Sequence, residues 1–164
     1  MQNLAVVRLM GDALVWYPPG AGAQPQPLEN DAQLTAFRDT LRSSRWQACF
    51  AAPSAQVRAL ELEVAPAEKK HLARALPFML EEQVAEDVED LHFASSALSK
   101  TRYAVAICSH SVMRQWAQRL AQLPDLPQWL PEALLLPWRP GEWCLVADGE
   151  QVIVRSGEGE GYAV

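Results

Sequence analysis

Six carboxylates fall within ten residues of this chain, at Glu81, Glu82, Glu86, Asp87, Glu89 and Asp90. Side chains of this type at this density can do two things. They can ligate a hard divalent cation through oxygen, or they can attract a basic protein surface. Glu82 and Glu86 would share one face of a helix, which is the best metal geometry the segment offers. No histidine stands at matching spacing, however, and Lys69 and Lys70 lie nearby, so no metal site is expected. Two readings stay open for the acids: a solvated face, or a partner-binding surface whose mutual repulsion is relieved by a basic partner.

The other reactive residues carry less. Ser109-His110-Ser111 invites a nucleophile reading, but no Gly-x-Ser-x-Gly elbow surrounds it and helix capping explains the serines. His92, next to Phe93, reads as a hydrogen-bonded structural residue rather than a base. A phosphate cradle would need a Gly-rich turn with a lysine, and no G-x-x-x-x-G-K-[ST] is present. Gly157, Gly159 and Gly161 alternate with Glu158 and Glu160, which would repel phosphate, so a flexible terminal turn is expected there. Cys49, Cys108 and Cys144 are far apart in apolar contexts and read as reduced core thiols. No catalytic residue, cofactor or metal is expected.

The elements that must position these residues follow from periodicity. Leu4–Leu9 and Ala13–Tyr17 flank Gly11-Asp12 and read as a β-hairpin. Residues 18–27 (PPGAGAQPQP) form a loop that cannot continue a strand. Asn30 or Asp31 caps a helix with Leu34, Phe37 and Leu41 on its apolar face. Trp46–Ala51 and Val57–Val64 are strands. Leu72, Leu76, Met79/Leu80, Val84, Val88 and Leu91 recur every three or four residues. With Pro77 inside that pattern, two helices meeting near Leu76 are expected, the first from Pro66 and the second, from Pro77, carrying the acids. His92–Ser96 and Arg102–Cys108 pair around a Ser-Lys turn, and Ser109 or Ser111 starts a helix to Leu123. Prolines 124, 127, 131, 137 and 140 mark a crossing segment without a period. Trp143–Ala147 and Val152–Arg155 flank Asp148-Gly149 as a second hairpin. Trp16, Trp46, Trp116 and Trp143 read as core, and Trp129 and Trp138 as pins for the crossing segment. Strands interleaved with helices give an α/β class with a mixed sheet.

The 164 residues are 49% hydrophobic and 21% charged, with a net charge of −6, enough apolar material for a true core. Fourteen scattered basic residues against twenty acidic ones argue against nucleic-acid binding and against docking on anionic lipid. No charged n-region with a following apolar run precedes Leu4, and no apolar run approaches the roughly 20 residues of a membrane span. A cytoplasmic, soluble chain is expected, and the closing GEGEGYAV reads as a break within a longer protein.

The block ALPFMLEEQVAEDVEDLHFA (75–94) resembles the signature of the L component of bacterial type II secretion systems, the GspL family. Val57–Val64 followed by Pro66, Trp116 to Leu120, LPEALLLPW (130–138) and WCLVADGEQVIVRSGEGEGYAV (143–164) resemble the same family in the same order. The resemblance implies an actin-like (RNase H-like) fold, part of a larger actin-like domain. It implies a subdomain over 1–123, the Pro-rich crossing segment over 124–142, and the start of a second RNase H-like subdomain over 143–164. It implies a non-catalytic scaffold on the cytoplasmic face of the inner membrane, anchored by a span outside this chain, that binds the N-terminal domain of the secretion ATPase (E component). The M component, other platform proteins and a second copy are the further partners expected. The alternative is a nucleotide-binding actin-like regulatory protein. Against it, the first hairpin turn reads Met-Gly-Asp, where ATP-binding actin-like proteins place Asp-x-Gly.

Overall fold

The computed structural model describes residues 3–124 and 126–164. Its strands are β1 (Leu4–Met10), β2 (Ala13–Tyr17), β3 (Gln26–Pro27), β4 (Gln47–Ala52), β5 (Arg58–Glu63), β6 (Leu91–Ala97), β7 (Arg102–Ser109), β8 (Gln128–Pro131), β9 (Cys144–Asp148), β10 (Gln151–Arg155) and β11 (Gly161–Ala163). Its α-helices are α1 (Asp31–Ser44), α2 (Leu72–Leu80) and α3 (His110–Arg119). Two compact units result, Met1–Pro53 with Arg119–Leu130, and Ser54–Gln118 with Pro131–Val164.

The first unit carries a sheet in the order β3-β2-β1-β4-β8. The expected first hairpin is present, and Gly11 at φ +59° supplies the left-handed turn that matches strand twist. The loop over 18–27 departs from expectation at its end. There Gln26 and Pro27 add to β2 as a short edge strand, the one sheet position where a missing proline N–H is harmless. Asn30 caps α1 by accepting from the Gln33 amide at 2.9 Å, and Gln33 accepts in turn from the Glu29 amide at 2.7 Å. Phe37 is buried against Trp16, with ring centroids 4.9 Å apart. After α1 the chain returns as β4, parallel to β1 and buried from Ala48 to Ala52. The crossing segment is more regular than expected. It supplies β8, and Trp129 pins it by an edge contact with Phe50 at 5.4 Å.

The second unit carries a sheet in the order β6-β7-β5-β11-β10-β9. The expected strand pair appears as β6 and β7, in register from Leu91 opposite Ser109 to Ala97 opposite Tyr103. The core lies between this sheet and α2, with Leu60, Val64, Val105 and Ile107 meeting Leu72, Leu76 and Leu80. Each fully buried leucine contributes about 1.5–3 kcal/mol.

The expected pair of helices is corrected. One helix, α2, runs straight through Pro77, preceded by a 3₁₀ turn at Lys69–His71. Pro77 deprives the Ala73 carbonyl of its helical donor, but burial of Leu72, Leu76 and Leu80 holds both halves on the sheet. The acids do not lie on a helix. The chain leaves the α conformation after Leu80 in a 3₁₀ turn at Glu81–Gln83, and Val84 is extended at φ −113°, ψ 150°. A continued helix would stack Glu82, Glu86 and Asp90 at successive spacings of four, like charges with no cation between them. Asp87 instead accepts from the Glu89 amide at 3.1 Å and opens a second 3₁₀ turn, Val88–Asp90, that leads into β6.

Two further corrections concern the C-terminal stretch. Trp143 is exposed rather than core. The glycine-rich run is packed, not a flexible turn. Gly159 and Gly161 are buried, and Gly161 opens β11, between β10 and β5. A Cβ on Gly159 would stand 2.5 Å from the Ala104 Cβ, and one on Gly161 would stand 2.5 Å from the Ala133 Cβ and 2.9 Å from the Val154 carbonyl. Arg155 closes this corner by donating to the carbonyls of Leu134 (2.8 Å), Leu136 (2.6 Å), Gly157 (3.1 Å) and Glu158 (2.6 Å). Gly161→Ala is therefore expected to lower unfolding stability by about 1–3 kcal/mol, as overpacking against backbone does. A shift in the urea midpoint measures it, and an unchanged midpoint contradicts the packing described.

Candidate functional site

All six sequence-nominated carboxylates are exposed, and the structure strings them along one irregular ribbon between α2 and β6. Glu81 and Glu82 lie in the first 3₁₀ turn, Glu86 and Asp87 in the extended stretch, and Glu89 and Asp90 in the second turn. Among the described residues no lysine or arginine pairs with any of them, and no group of three His, Cys, Asp or Glu side chains could hold a metal ion. The ribbon is held from beneath, because the Arg58 guanidinium donates to the Gln83 carbonyl at 2.7 Å. Residues 83–86 roof a groove of about 430 Å³ at one end of the sheet, whose other walls are the 54–58 loop, the end of β7 and Tyr162. Of the six acids only Glu86 lines that groove.

Periodicity missed Phe78. The apolar stripe passes through Leu76 and Leu80, which leaves Phe78 on the outward side of α2, 75% exposed and three residues before Glu81. An aromatic lying off its helix's own stripe was the available signal.

The serine–histidine cluster is structural. Ser109 Oγ accepts from the Val112 amide at 3.2 Å and lies 3.0 Å from Ser111 Oγ, so it caps α3. The His92 and His110 rings are 6.0 Å apart, edge to face. Burial, and then the neighbouring His110, holds the His92 pKa below the usual range.

A second charged group also escaped notice. Arg102 Nη2 lies 2.7 Å from Glu61 and 3.3 Å from Glu158, and the Gly159 amide donates to Glu61 at 2.9 Å. Burial pushes the Glu61 carboxyl up, but the Gly159 amide, the Arg102 guanidinium and the Glu158 amide outweigh it, and its pKa falls below the ordinary value. This cluster ties the glycine-rich run to β5 and β7. Among the thiols, burial raises Cys49 to about 11 and also raises Cys108, while Cys144 is only half-buried.

The fold is mixed α/β, with helices flanking its sheets. It is shared with the cytoplasmic domain of EpsL, an inner membrane component of the type II secretion system of Vibrio cholerae. That likeness has a TM-score of 0.73 at 21% identity and covers 98% of this chain and 70% of the other. A chain of the PilM-PilN type IV pilus biogenesis complex is similar more distantly, with a TM-score of 0.55 at 16% identity, over 99% of this chain and 60% of that one. The profile of type II secretion system (T2SS) protein L matches residues 26–164, and the chain belongs to that family. Protein L of Klebsiella pneumoniae is 31% identical over 97% of this chain, and that of Dickeya chrysanthemi 30% identical over 68%. The chain spans 41% and 28% of the length of these two relatives. Among the described residues no helix is long and apolar enough to cross a membrane.

Two outcomes follow for the charged cluster and the thiols. A carboxyl with a lowered folded pKa stabilises the fold above its ordinary pKa, and that stability is lost as pH falls through the lowered value. Glu61→Gln is expected to flatten the fall in stability over that acidic window, read from denaturant midpoints across pH. A maleimide at neutral pH is expected to label Cys144 well before Cys49 or Cys108, which peptide mapping of a time course resolves.

Proposed function

We propose that this protein is a non-catalytic scaffold of the type II secretion inner-membrane platform. It recruits the secretion ATPase, the E component, through the acidic ribbon and Phe78, and so anchors that motor for protein export. The carrying observation is the display of six exposed carboxylates, unpaired among the described residues, on a ribbon held in place by Arg58, beside an exposed aromatic. Unpaired like charges repel one another, and a basic surface relieves that repulsion on binding. The net charge of −6 favours the same kind of partner. Membership of the protein L family supplies the setting. In this reading the M component and other platform proteins, with a second copy of the chain, complete the assembly. A membrane span outside residues 1–164 would tether it to the inner membrane, leaving this region at the cytoplasmic face.

The test reverses Glu81, Glu82, Glu86 and Glu89 to lysine together and measures affinity for the N-terminal domain of the ATPase by calorimetry. Binding is expected to weaken roughly tenfold or more at low salt, and wild-type affinity to fall as ionic strength rises. Phe78→Ser is expected to weaken binding without changing the salt dependence. Unaltered affinity in both variants removes the ribbon from the interface. Heat from Mg-ATP binding at millimolar concentration or below contradicts the scaffold reading.

A further inference from the structure

Strand β6 stands at one end of the six-stranded sheet and pairs, among the described residues, with β7 alone. Which of its backbone groups lie open follows from the ladder. The Leu98 amide donates to the Arg102 carbonyl at 2.9 Å, one step beyond the Ala97–Tyr103 pair. Antiparallel pairs alternate, so His92, Ala94 and Ser96 turn their N–H and C=O toward β7. On the far side of β7 the Val64 amide donates to the Thr101 carbonyl at 2.8 Å. That bond turns Tyr103, Val105 and Ile107 toward β5, in agreement with the assignment. Leu91, Phe93, Ser95 and Ala97 therefore present their backbone N–H and C=O outward.

The strand reads LHFASSA, and its second half, Ala94 to Ala97, is exposed. It holds no lysine, arginine, carboxylate, proline or glycine, the residues that keep natural edges from pairing. The edge is also complementary to itself. Set antiparallel against a copy with Ala94 opposite Ala94, it places Leu91 opposite Ala97 and Phe93 opposite Ser95. All four outward residues then meet outward residues. Centring the pair on Phe93 or Ser95 instead leaves one of them beyond the end of the other strand. The charges favour the same centre. Continued past the strand ends, this register brings Glu89 and Asp90 of one copy abreast of the turn that carries the partner's Lys100. Lys100 is exposed in that turn and has no ion pair among the described residues. Two-fold symmetry repeats the match at the other end, as an isologous interface requires.

We propose that the outer edge of β6 pairs antiparallel with the same strand of a second copy of this chain, about a two-fold axis at Ala94. The ladder supplies the affinity, and the contact of Glu89 and Asp90 with the partner's Lys100 fixes the register. Phe93, half-buried on its own sheet, gains cover from the partner's strand on the same face. The small side chain of Ala94 lets the two strands approach at the axis. The inference gives the second copy of the scaffold reading a surface and rests on that part of the reading alone. The ATPase contact does not enter it.

The test is disulfide trapping in the full-length natural protein, without the ATPase, in a Cys144→Ser background oxidised with copper phenanthroline. Two Ala94 residues at the axis would form a non-hydrogen-bonded pair with Cα atoms about 4.5 Å apart, within the disulfide range of about 4.4–6.8 Å. Two Ser96 residues would lie four positions apart along the ladder, about 13 Å. Ala94→Cys is therefore expected to form a covalent dimer about tenfold faster or more than Ser96→Cys. Lys100→Glu is expected to slow trapping at Ala94→Cys severalfold, and adding Asp90→Lys to restore it. Equal rates at the two positions overturn the proposal, as does the absence of a dimer. Trapping that ignores Lys100→Glu overturns the register. A disulfide adduct with a different protein overturns the inference by assigning the edge to another partner.

Discussion

The stripe formed by Leu72, Leu76 and Leu80 on the β5–β7 face is the contact on which the surface features of the second unit depend. It overrides the defect that Pro77 introduces, so one helix forms where local chemistry argues for a break. It also ends at Leu80, and the helix ends with it, because a further turn would stack Glu82 and Glu86 with no cation between them. Phe78 faces outward because its neighbours at 76 and 80 face inward. The acids emerge as an irregular ribbon because the chain leaves the helical conformation after Leu80.

Local patterns made much of the fold legible. The Gly11 turn, the α1 cap, the β6–β7 pair and the capping role of Ser109 are short-range signals, and each stands where the residues place it, while the second hairpin turns one residue later than expected, at Gly149-Glu150. What stayed hidden depends on contacts distant in sequence. Glu61 reads as one of several outward glutamates until Arg102 and the Gly159 amide meet it. The glycines at 159 and 161 read as slack until Ala104 and Ala133 occupy the space where a side chain would go. β8 is invisible among prolines because its partner β4 lies some eighty residues earlier. The acidic segment shows a subtler failure. Its helical period is real, but period reports which residues could share a face, not whether their charges tolerate doing so.

The C-terminal corner of the second unit shows how one cation can organise irregular backbone. The carbonyls of Leu134, Leu136, Gly157 and Glu158 belong to two segments that have no strand ladder between them, and the five donors of a guanidinium suit that arrangement. Burial draws the Arg155 pKa down, with the neighbouring Glu158 opposing. Glu132 and Ser54 perform a parallel service nearby, as the Ser54 hydroxyl accepts from the Ala133 amide at 2.9 Å and the Glu132 carboxylate from the Ser54 amide at 3.3 Å. Buried polar atoms are satisfied through side chains where regular structure stops.

Arg58 grips the acidic ribbon by the carbonyl of Gln83, a group that every residue carries whatever its side chain. The path of the ribbon is thereby uncoupled from the identity of most side chains it displays. Apart from Asp87, whose carboxylate caps the second 3₁₀ turn, its charges can be exchanged one at a time without renegotiating the fold beneath. A surface built this way is free to follow changes in whatever it faces, keeping its shape while its chemical message is rewritten.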